Sequence, residues 1–482
     1  SDFVCYTYIV LFIIFGAFYT TNGVIGTPVN VCYTYIVLFI IFGAFLERTG
    51  IANFFIALAN RLAGWSAGGP AKVAVISSAL CGMVSGSSVG NTVTTGSVTI
   101  PMMKKTGYHP DFAGAVEAAA STGGQIMPPI MGAAAFLMAE YMDLPYATVA
   151  VKAILPAVLY FTGIFISVHL EAKKLGLKGL SKDEMPKWSF LLQKIYLLAP
   201  LVLLVWLVSS GAKTMQFSAA VSILAAIIVG FLNKDERLTL KKIFEALEAG
   251  AKGAITVGVA CAIAGMIAGC ITVTGLASIL INAIVQLAGS ATFIGLILTM
   301  VCCIVLGMGV PTTANYCIMA STCAPILIKM GFPLVAAHFF VFYFGIVADI
   351  TPPVALAAYA GSAIAKGNPM KTGINATKLA IAAFIVPYIF AYSPAMLFVN
   401  VTSVWAVIQI VLSALLGIFG VAAGLEGFML RKMNWLFRLI CIGGGLGLMI
   451  PGALSDLVGL VLIGGVFAIQ YIQNKKEALS KD

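Results

Sequence analysis

Charged side chains are scarce in this sequence. Asp, Glu, Lys and Arg make up only 10% of its 482 residues, whereas 61% are hydrophobic. A soluble protein of this length could not cover its surface with so few charges. The alternation of polar and apolar residues that builds a membrane β-barrel is missing too. Since apolar runs of about 20 residues, each long enough to cross roughly 30 Å of hydrocarbon, recur along the chain, the sequence predicts an all-α polytopic membrane protein in a lipid bilayer.

Motifs for several other chemistries are also missing. No G-x-x-x-x-G-K-[ST] occurs, so the chain does not use ATP directly through a phosphate-binding loop of that kind. The ten Cys include no C-x-x-C spacing, which favours small core residues over a transition-metal or disulfide site. The net charge of +10 comes from Lys and Arg in short connections, a pattern typical of cytoplasmic loops rather than of nucleic-acid binding. No organic cofactor is expected.

Nine apolar runs are predicted to be spanning helices. The basic connections between them all fall in the cytoplasm if residues 334–365 form one broken span. Two other segments, 51–64 and 238–250, have amphipathic helical spacing and are predicted to lie along the membrane interface. The nine runs are 31–47, 145–170, 195–210, 216–232, 253–274, 379–399, 401–424, 436–453 and 455–472.

The N-terminal tract contains a letter-for-letter duplication. The stretch VCYTYIVLFIIFGAF occurs at residues 4–18 and again at 31–45. Natural repeats drift, so this identity indicates an artefact of sequence assignment more than a biological duplication. We therefore treat 1–30 as an N-terminal apolar segment and give 1–18 little functional weight. Because the chain begins at Ser1, we also expect a fragment or a processed form of a longer protein.

The stretch SGSSVGNTVTTG at residues 85–96 has two interpretations. Gly86 to Gly90 spell G-x-S-x-G, the nucleophile-elbow pattern of serine hydrolases, with Ser88 as the nucleophile. That chemistry needs a strand-turn-helix context and a reachable His and acid, and no soluble α/β pattern is present. The second interpretation is a helix broken by small polar residues, in which Ser88 and Asn91 line an ion or substrate site. We favour the second, with simple helix packing by the two polar residues as its alternative.

An internal repeat appears when the chain is aligned with itself. A single ungapped offset of 224 positions aligns Asn91 with Asn315 and several other identical residues. Five predicted crossings separate the two copies, so the second copy enters the membrane from the opposite face. That is an inverted-topology repeat, the architecture of many secondary transporters. The other aligned pairs are Ser97 with Ser321, Pro101 with Pro325, Lys105 with Lys329, Gly107 with Gly331, and Pro128-Pro129 with Pro352-Pro353.

Each copy is predicted to contain a re-entrant helical hairpin followed by a broken helix. The hairpins cover about 68–107 and 290–331, and each has arms too short to span the bilayer and a polar tip. The broken helices cover 111–140 and 334–365. Proline at each break frees backbone carbonyls, which together with hydroxyls and amide oxygens make an oxygen cage suited to a hard cation. The N-termini of the half-helices favour a carboxylate.

The candidate site residues fall into two ion-binding groups and a substrate lining, with sodium as the ion and no transition metal. Hairpin 1 and the first break contribute Ser85, Gly86, Ser88, Asn91, Gly123 and Gln125. Hairpin 2 and the second break contribute Gly309, Thr312, Thr313, Asn315, Asp349 and Thr351. The predicted substrate lining consists of Ser87, Thr92, Thr95, Pro128 and Pro353.

Two buried acids leave alternatives open. Asp349 is equivalent to the neutral Gln125 in the repeat, so the second cage should bind a cation more strongly, unless Asp349 only caps the next half-helix through Thr351. Glu117 lies mid-helix, and a proton carrier and a simple hydrogen-bonding link between helices are equally compatible with that position. His338 is predicted to pack at an interface rather than to carry protons.

At these residues the sequence resembles the large membrane subunit of tripartite ATP-independent periplasmic (TRAP) transporters. The resemblance covers roughly residues 22–400 and is best in SGSSVGN, IPMMKKTGY, GQIMPP and DITPPV. We therefore interpret 31–400 as a TRAP large-subunit domain. The tip GMGVPTTANY and the additional transmembrane helices of 401–482 resemble the fused-permease branch that is paired with TAXI-type binding proteins.

The resemblance implies an elevator mechanism in the bacterial inner membrane, sodium coupling, and an organic acid delivered by a periplasmic substrate-binding protein. Fused permeases also carry a small four-helix membrane subunit, which this chain does not contain, so we expect the chain to be incomplete. One alternative is a sodium/carboxylate symporter of the divalent-anion type, which shares the inverted-hairpin plan but works without a binding protein. A membrane-embedded serine hydrolase is the remote alternative.

Overall fold

A computed structural model describes residues 23–181, 185–289, 291–401, 403–450 and 452–479. Within these ranges the chain forms helices and no strand, apart from an isolated β-bridge between Phe428 and Lys432. The all-α fold is therefore confirmed. The first copy of the duplicated tract, 4–18, lies outside the described residues, whereas its second copy at 31–45 belongs to the first described helix.

The first repeat contains six helices, which we number from the start of the described chain. The first of them includes a π-helical turn at Cys32–Ile36, and the third and fourth are joined only by Gly86 and Ser87. The helices are α1 (Thr27–Arg48), α2 (Ile51–Ala63), α3 (Gly69–Ser85), α4 (Ser88–Thr106), α5 (Pro110–Gly123) and α6 (Ala133–Tyr141).

The tip of hairpin 1 is a helix end followed at once by a helix start. Gly86 ends α3 in the left-handed conformation, at φ 63°, and its N–H donates to the Gly82 carbonyl at 3.0 Å. Ser87 then caps α4, since its Oγ accepts from the N–H of Gly90 at 3.1 Å. The G-x-S-x-G letters therefore encode a helix-turn-helix, not the strand-turn-helix of a hydrolase.

Five helices connect the two repeats. The longest runs without interruption from Leu240 to Val273, so the prediction of a separate interfacial helix at 238–250 was wrong. The amphipathic spacing of 238–250 arises because the first third of this long helix is charged, and that part continues directly into the apolar part. The five are α7 (Tyr146–Leu175), α8 (Trp188–Gln193), α9 (Ala199–Ser210), α10 (Met215–Leu232) and α11 (Leu240–Val273).

The second repeat has the same order of elements as the first. Its hairpin and broken helix lie where the 224-position offset puts them, and a helix that we had not predicted, α12, corresponds to α2. The helices are α12 (Leu276–Ala288), α13 (Thr292–Gly307), α14 (Thr312–Thr322), α15 (Ala324–Lys329), α16 (Leu334–Val347) and α17 (Leu356–Ala365).

Five more helices follow the second repeat. The last three pack side by side, and α20 packs against α7, so this addition is attached to the long helix that follows the first repeat. The five are α18 (Pro369–Leu379), α19 (Ile381–Tyr392), α20 (Val404–Glu426), α21 (Trp435–Gly447) and α22 (Ala453–Leu479).

Seven stretches of helix in the described chain are long and apolar enough to cross a membrane. They are α1, α7, α10, α11, the consecutive pair α18–α19, α20 and α22, and each matches one of the predicted spans. The other two predicted spans, 195–210 and 436–453, contain the shorter helices α9 and α21. Many large apolar side chains on these helices are exposed, as expected of surfaces that face lipid.

Candidate functional site

Four polar residues from the two repeats meet at the tip of hairpin 1. Ser88, the first residue of α4, donates through Oγ to Asp349 Oδ2 at 2.5 Å across 261 positions of sequence. The side chains of Gln125 and Thr312 also lie close to the Asp349 carboxylate, but Gln125 Nε2 makes no hydrogen bond with it. Ser88 and Asp349 are only 3% and 7% exposed. The two groups of site residues predicted from the sequence are therefore not separate, because members of both lie around one carboxylate.

The offset of 224 positions relates these four residues to one another in two equivalent pairs. It pairs Ser88 with Thr312, which begin the equivalent helices α4 and α14, and it pairs Gln125 with Asp349 in the two breaks. In a molecule with a pseudo-two-fold axis, equivalent residues come together only where they lie beside that axis. This central cluster of Ser88, Gln125, Thr312 and Asp349 therefore marks the contact between the repeats.

Asp349 does not act as a helix cap. The N-cap position of α17 is Ala355, and no side chain caps that helix. Thr351 does not cap α17 either, since its Oγ1 donates to the Val347 carbonyl of the preceding helix at 2.8 Å. The Asp349 backbone bridges the break instead, because its carbonyl accepts from the N–H of Ala357 at 2.9 Å. The carboxylate remains available for the central cluster.

The two asparagines of the hairpins hold each tip against the broken helix that follows. Asn91 Nδ2 donates to the Ser78 carbonyl at 3.0 Å and to Ser121 Oγ at 3.1 Å. Asn315 Nδ2 donates to the Gly345 carbonyl at 3.0 Å, and Gly345 is the equivalent of Ser121. The same attachment is thus built twice, and in both copies it uses the nitrogen of the amide.

Several buried oxygen atoms near the tips and breaks have no hydrogen-bond partner. They are Ser85 Oγ and Thr122 Oγ1 in the first repeat and Asn315 Oδ1 in the second. Buried polar atoms are nearly always paired in native proteins, so each exception calls for an explanation. Oxygen atoms of hydroxyls and amides are the ligands that hard cations prefer. These unpaired oxygens, two in the first repeat and one in the second, are of the kind that a sodium ion takes as ligands.

The first tip and the first break approach each other very closely. A Cβ on Gly82 would lie 2.6 Å from the Cα of Gly124, and a Cβ on Gly86 would lie 2.5 Å from the Cα of Gly132. Both distances are too short for any side chain, so glycine is required for this contact. Beside the contact lies a cavity of about 170 Å³ lined by Ser85, Gly86 and Gly132 among others.

The remaining predicted residues surround this region in different ways. Thr92 and Thr313 are buried, and Thr92 Oγ1 donates to the Ser88 carbonyl at 2.8 Å. Thr95 is buried against the carboxyl of Glu117 rather than facing the cavity. Ser87 is exposed and caps α4, and Pro128 is partly buried. Gly123 packs against Tyr160, and Gly309 forms the turn of the second tip at φ 74°. Pro353 is exposed, and its carbonyl accepts from Tyr359 Oη at 2.5 Å.

None of the three histidines lies where a hydrolase would need it. Ser88 contacts an acid directly, with no imidazole between them. His169 Nδ1 is 2.9 Å from Lys72 Nζ, and the buried His338 has its Nδ1 2.7 Å from Tyr316 Oη. His109 lies next to Asp111 at the start of α5. The geometry contains no nucleophile–base pair at Ser88.

Sequence reasoning missed two oxygen donors of the first repeat. Thr122, whose hydroxyl is unpaired, lies in the last turn of α5, where the predicted break begins, but it was not chosen as a site residue. Its position at the end of a half-helix was a usable signal. Ser78 lies within an apolar arm of hairpin 1 and contacts Glu117 and Thr95. Nothing in the local sequence distinguishes Ser78 from a packing serine.

Comparison with known proteins agrees with this architecture of two hairpins and two broken helices, which is that of a secondary transporter. Residues 4–405 match the family model described as "Tripartite ATP-independent periplasmic transporter, DctM component". The chain belongs to this family of TRAP transporter large permeases. It is therefore a multi-pass inner-membrane protein and a transporter of organic acids, not an enzyme. The family implies a periplasmic binding protein and a small membrane subunit as partners.

Three relatives align with well over half of this chain. A putative TRAP transporter large permease protein of Haemophilus influenzae is 27% identical over 63% of this chain and 71% of its own length. The C4-dicarboxylate TRAP transporter large permease protein DctM of Pseudomonas aeruginosa is 25% identical over 72% of this chain and 82% of its own. The isethionate TRAP transporter permease protein DctMQ of Oleidesulfovibrio alaskensis is 23% identical over 72% of this chain and 54% of its own length.

Proposed function

We propose that this chain imports a small carboxylate together with sodium ions. The observation that carries the proposal is the set of unpaired buried oxygens at the two tips, next to a buried carboxylate. Ser85 Oγ, Thr122 Oγ1 and Asn315 Oδ1 have no partner within the described protein. Asp349 adds a negative charge at the contact between the repeats. A bound cation would satisfy these oxygens and balance that charge.

The two sodium sites would differ in strength. In the first repeat, Ser85 and Thr122 supply neutral oxygens. In the second, Asn315 lies in α14 together with Thr312, which faces the Asp349 carboxylate. A charged ligand attracts a cation more strongly than a neutral amide does at the same position. The second site would therefore hold its ion more tightly.

The substrate would bind beside the first tip. Gln125 Nε2 is a buried donor without a partner, and an unpaired donor favours an anionic oxygen. A cavity of about 170 Å³ lies beside Ser85 and Gly86 of that tip, and Glu47 rather than Gln125 is among its lining residues. Its volume is close to that of a cavity that holds benzene. Relatives of this chain are named for C4-dicarboxylate and for isethionate, which are small anions. We infer that a small organic acid binds at the first tip, near Ser85 and Gly86.

Transport would follow an elevator mechanism, because the two repeats are joined as one unit. α5 packs closely on α17, where a Cβ on Gly114 would lie 2.9 Å from the backbone of Gly361. Lys104 Nζ at the end of hairpin 1 donates to the Ala365 carbonyl at 2.7 Å. These contacts cross between the repeats and oppose their separation. Both hairpins and both broken helices would therefore move together against the remaining helices.

The partner would be a TAXI-type binding protein. Two features support this proposal. One is the tip sequence GMGVPTTANY. The other is the group of helices α20–α22, which lies almost entirely after residue 405, where the family match ends. The small membrane subunit would be either fused or separate. The binding protein would release its acid at the tips, and sodium binding there would hold the acid for transport.

Uptake into proteoliposomes tests the proposal. Vesicles containing the permease and its small subunit are mixed with the purified binding protein and with labelled C4-dicarboxylate or isethionate. We expect uptake when sodium is outside, and none when potassium replaces sodium or when the binding protein is omitted. Uptake without the binding protein would favour a symporter of the divalent-anion type. Uptake that continues in potassium would contradict sodium coupling.

A further inference from the structure

A carboxyl group outside the central cluster is completely enclosed by hydroxyls. Glu117, in the middle of α5, is 0% exposed. Its Oε1 accepts from Ser78 Oγ at 2.5 Å, from Ser121 Oγ at 3.3 Å and from the Thr95 hydroxyl, while its Oε2 accepts from the Thr99 hydroxyl. The hydroxyl oxygens touch the carboxyl directly. Because no space is left between them, the cluster cannot hold a metal ion without opening.

No basic side chain in the described part of the chain contacts Glu117. The helices packed against α5 are α3, α4, α7, α17 and α18, and the titratable group on them that interacts with Glu117 is the thiol of Cys81. Other groups on these helices bond elsewhere: Lys72 with His169, Lys104 with the Ala365 carbonyl, Lys152 with the Leu397 carbonyl, Tyr160 with the Ala119 carbonyl, and Tyr359 with the Pro353 carbonyl. Lys105, Lys371 and Lys378 are exposed. An ionised carboxylate at this depth has no counter-charge, which is costly.

The hydroxyls around Glu117 can serve both protonation states. Thr95 Oγ1 can donate to the Asn91 carbonyl at 2.7 Å instead of to the carboxylate, and Thr99 Oγ1 can donate to the Thr95 carbonyl at 3.1 Å. When Glu117 carries a proton, its O–H can donate to one of these threonine oxygens while both threonines donate to the backbone. When the proton leaves, the hydroxyls turn back to the carboxylate. Rotation of O–H bonds is enough to exchange the two states.

The second repeat forms the same fold without this cluster. The 224-position offset pairs Glu117 with Val341, Thr95 with Met319 and Thr99 with Cys323. Val341 and Met319 are fully buried in the equivalent helices. Apolar and sulfur-containing side chains thus fill the equivalent space, so the architecture does not require an acid there. A buried acid that packing does not require suggests a functional role.

We propose that Glu117, with the hydroxyls of Ser78, Thr95, Thr99 and Ser121, forms a proton-binding site that takes up and releases H⁺ during transport. The proton binds to the carboxylate oxygen and gives a neutral acid. The site connects to the tip of hairpin 1, since Ser121 also accepts from Asn91. It therefore adds a proton to the proposed sodium coupling and lies in a different cluster.

Infrared difference spectroscopy on the full-length protein in lipid tests the site without any substrate. Spectra taken in acidic and alkaline buffers should differ by a carbonyl band of a protonated carboxylic acid. Glu117→Gln should remove that band, and Glu140→Gln, the same change at an exposed position of α6, should leave it. Thr99→Val should move the frequency of the band, because the acid loses a hydrogen-bond partner. A spectrum in which Glu117→Gln removes no pH-dependent band would overturn the proposal.

Transport measurements separate this site from sodium coupling. In proteoliposomes with a fixed sodium gradient, an inward proton gradient should accelerate uptake of the labelled acid by the wild type and by Glu140→Gln. Glu117→Gln should lose that acceleration and keep its dependence on sodium, because glutamine mimics the neutral acid. An equal response to the proton gradient in Glu117→Gln would overturn the proton site. Loss of sodium dependence in every variant, with the pH response retained, would contradict only the sodium proposal.

Discussion

At Asp349, charge can be separated from hydrogen bonding by a single substitution. Asp349→Asn keeps an oxygen that can accept from Ser88 Oγ but removes the negative charge from the contact between the repeats. Loss of a buried charge partner costs about 3–5 kcal/mol, and less where water reaches the site. A loss of even about 1.4 kcal/mol weakens ion binding about tenfold. We therefore expect the sodium concentration for half-maximal uptake to rise at least about tenfold.

The matched control for this substitution is Asp143→Asn. Asp143 is exposed after the end of α6, so the same chemical change there should leave the sodium dependence unaltered. Binding-protein docking should be unchanged in both variants. An Asp349→Asn transporter with wild-type sodium dependence would show that the charge does not serve a cation, and the unpaired oxygens of Ser85 and Thr122 would remain as the candidate ligands.

At the scale of elements, the close contact between hairpin 1 and the first break sets a steric limit. Gly82→Ala would place a Cβ 2.6 Å from the Cα of Gly124, where backbone atoms face it and no flexible side chain can move aside. Overpacking of this kind typically costs about 1–3 kcal/mol. We expect a lower midpoint of thermal unfolding in detergent and slower uptake.

Gly443→Ala is the control for that prediction. Gly443 is also inside a helix, α21, but nothing lies within 4 Å of its would-be Cβ. Alanine is the better helix former, so the midpoint should stay the same or rise slightly. If Gly82→Ala and Gly443→Ala unfolded at the same temperature, the tight contact between α3 and the first break would not exist in solution.

The elements also show how far the sequence alone could lead. Hydropathy located the long helices, and the offset between Asn91 and Asn315 located both hairpins, because these signals are local or repeated. Hydropathy did not predict α12, although the 224-position offset pairs the residues of α12 with those of α2. The sequence pattern also predicted two helices within 238–274, because the charged first third of α11 has the amphipathic period of a separate helix.

The candidate site was predictable as a set of residues but not as an arrangement. Ser88, Gln125, Thr312 and Asp349 were all selected from the sequence, yet they were assigned to separate cages. Their meeting depends on how the two repeats pack, which local patterns do not encode. The hydroxyls around Glu117 were hidden for the same reason, since Ser78 and Thr99 come from different arms of hairpin 1.

For the whole molecule, the repeat predicts opposite orientations of the two hairpins. Lys105 and Lys329 are equivalent by sequence and both are exposed. We expect Lys105→Cys to react with an impermeant thiol reagent from the cytoplasmic side and Lys329→Cys from the periplasmic side. The unsubstituted protein measures the background, because Cys270 and Cys302 are partly exposed. Reaction of both substituted positions from the same side would end the inverted-repeat interpretation.

Also at this scale, the central claim is that sodium and an organic acid cross the membrane together. The most direct test measures entry of radiolabelled sodium into proteoliposomes that contain the permease and its small subunit. Coupling is reciprocal, so each solute must promote binding of the other. Adding binding protein loaded with the acid should accelerate sodium entry in the wild type, and the acceleration should be weaker in Asp349→Asn at the same sodium concentration. Sodium entry that is the same with and without the loaded binding protein would contradict the account.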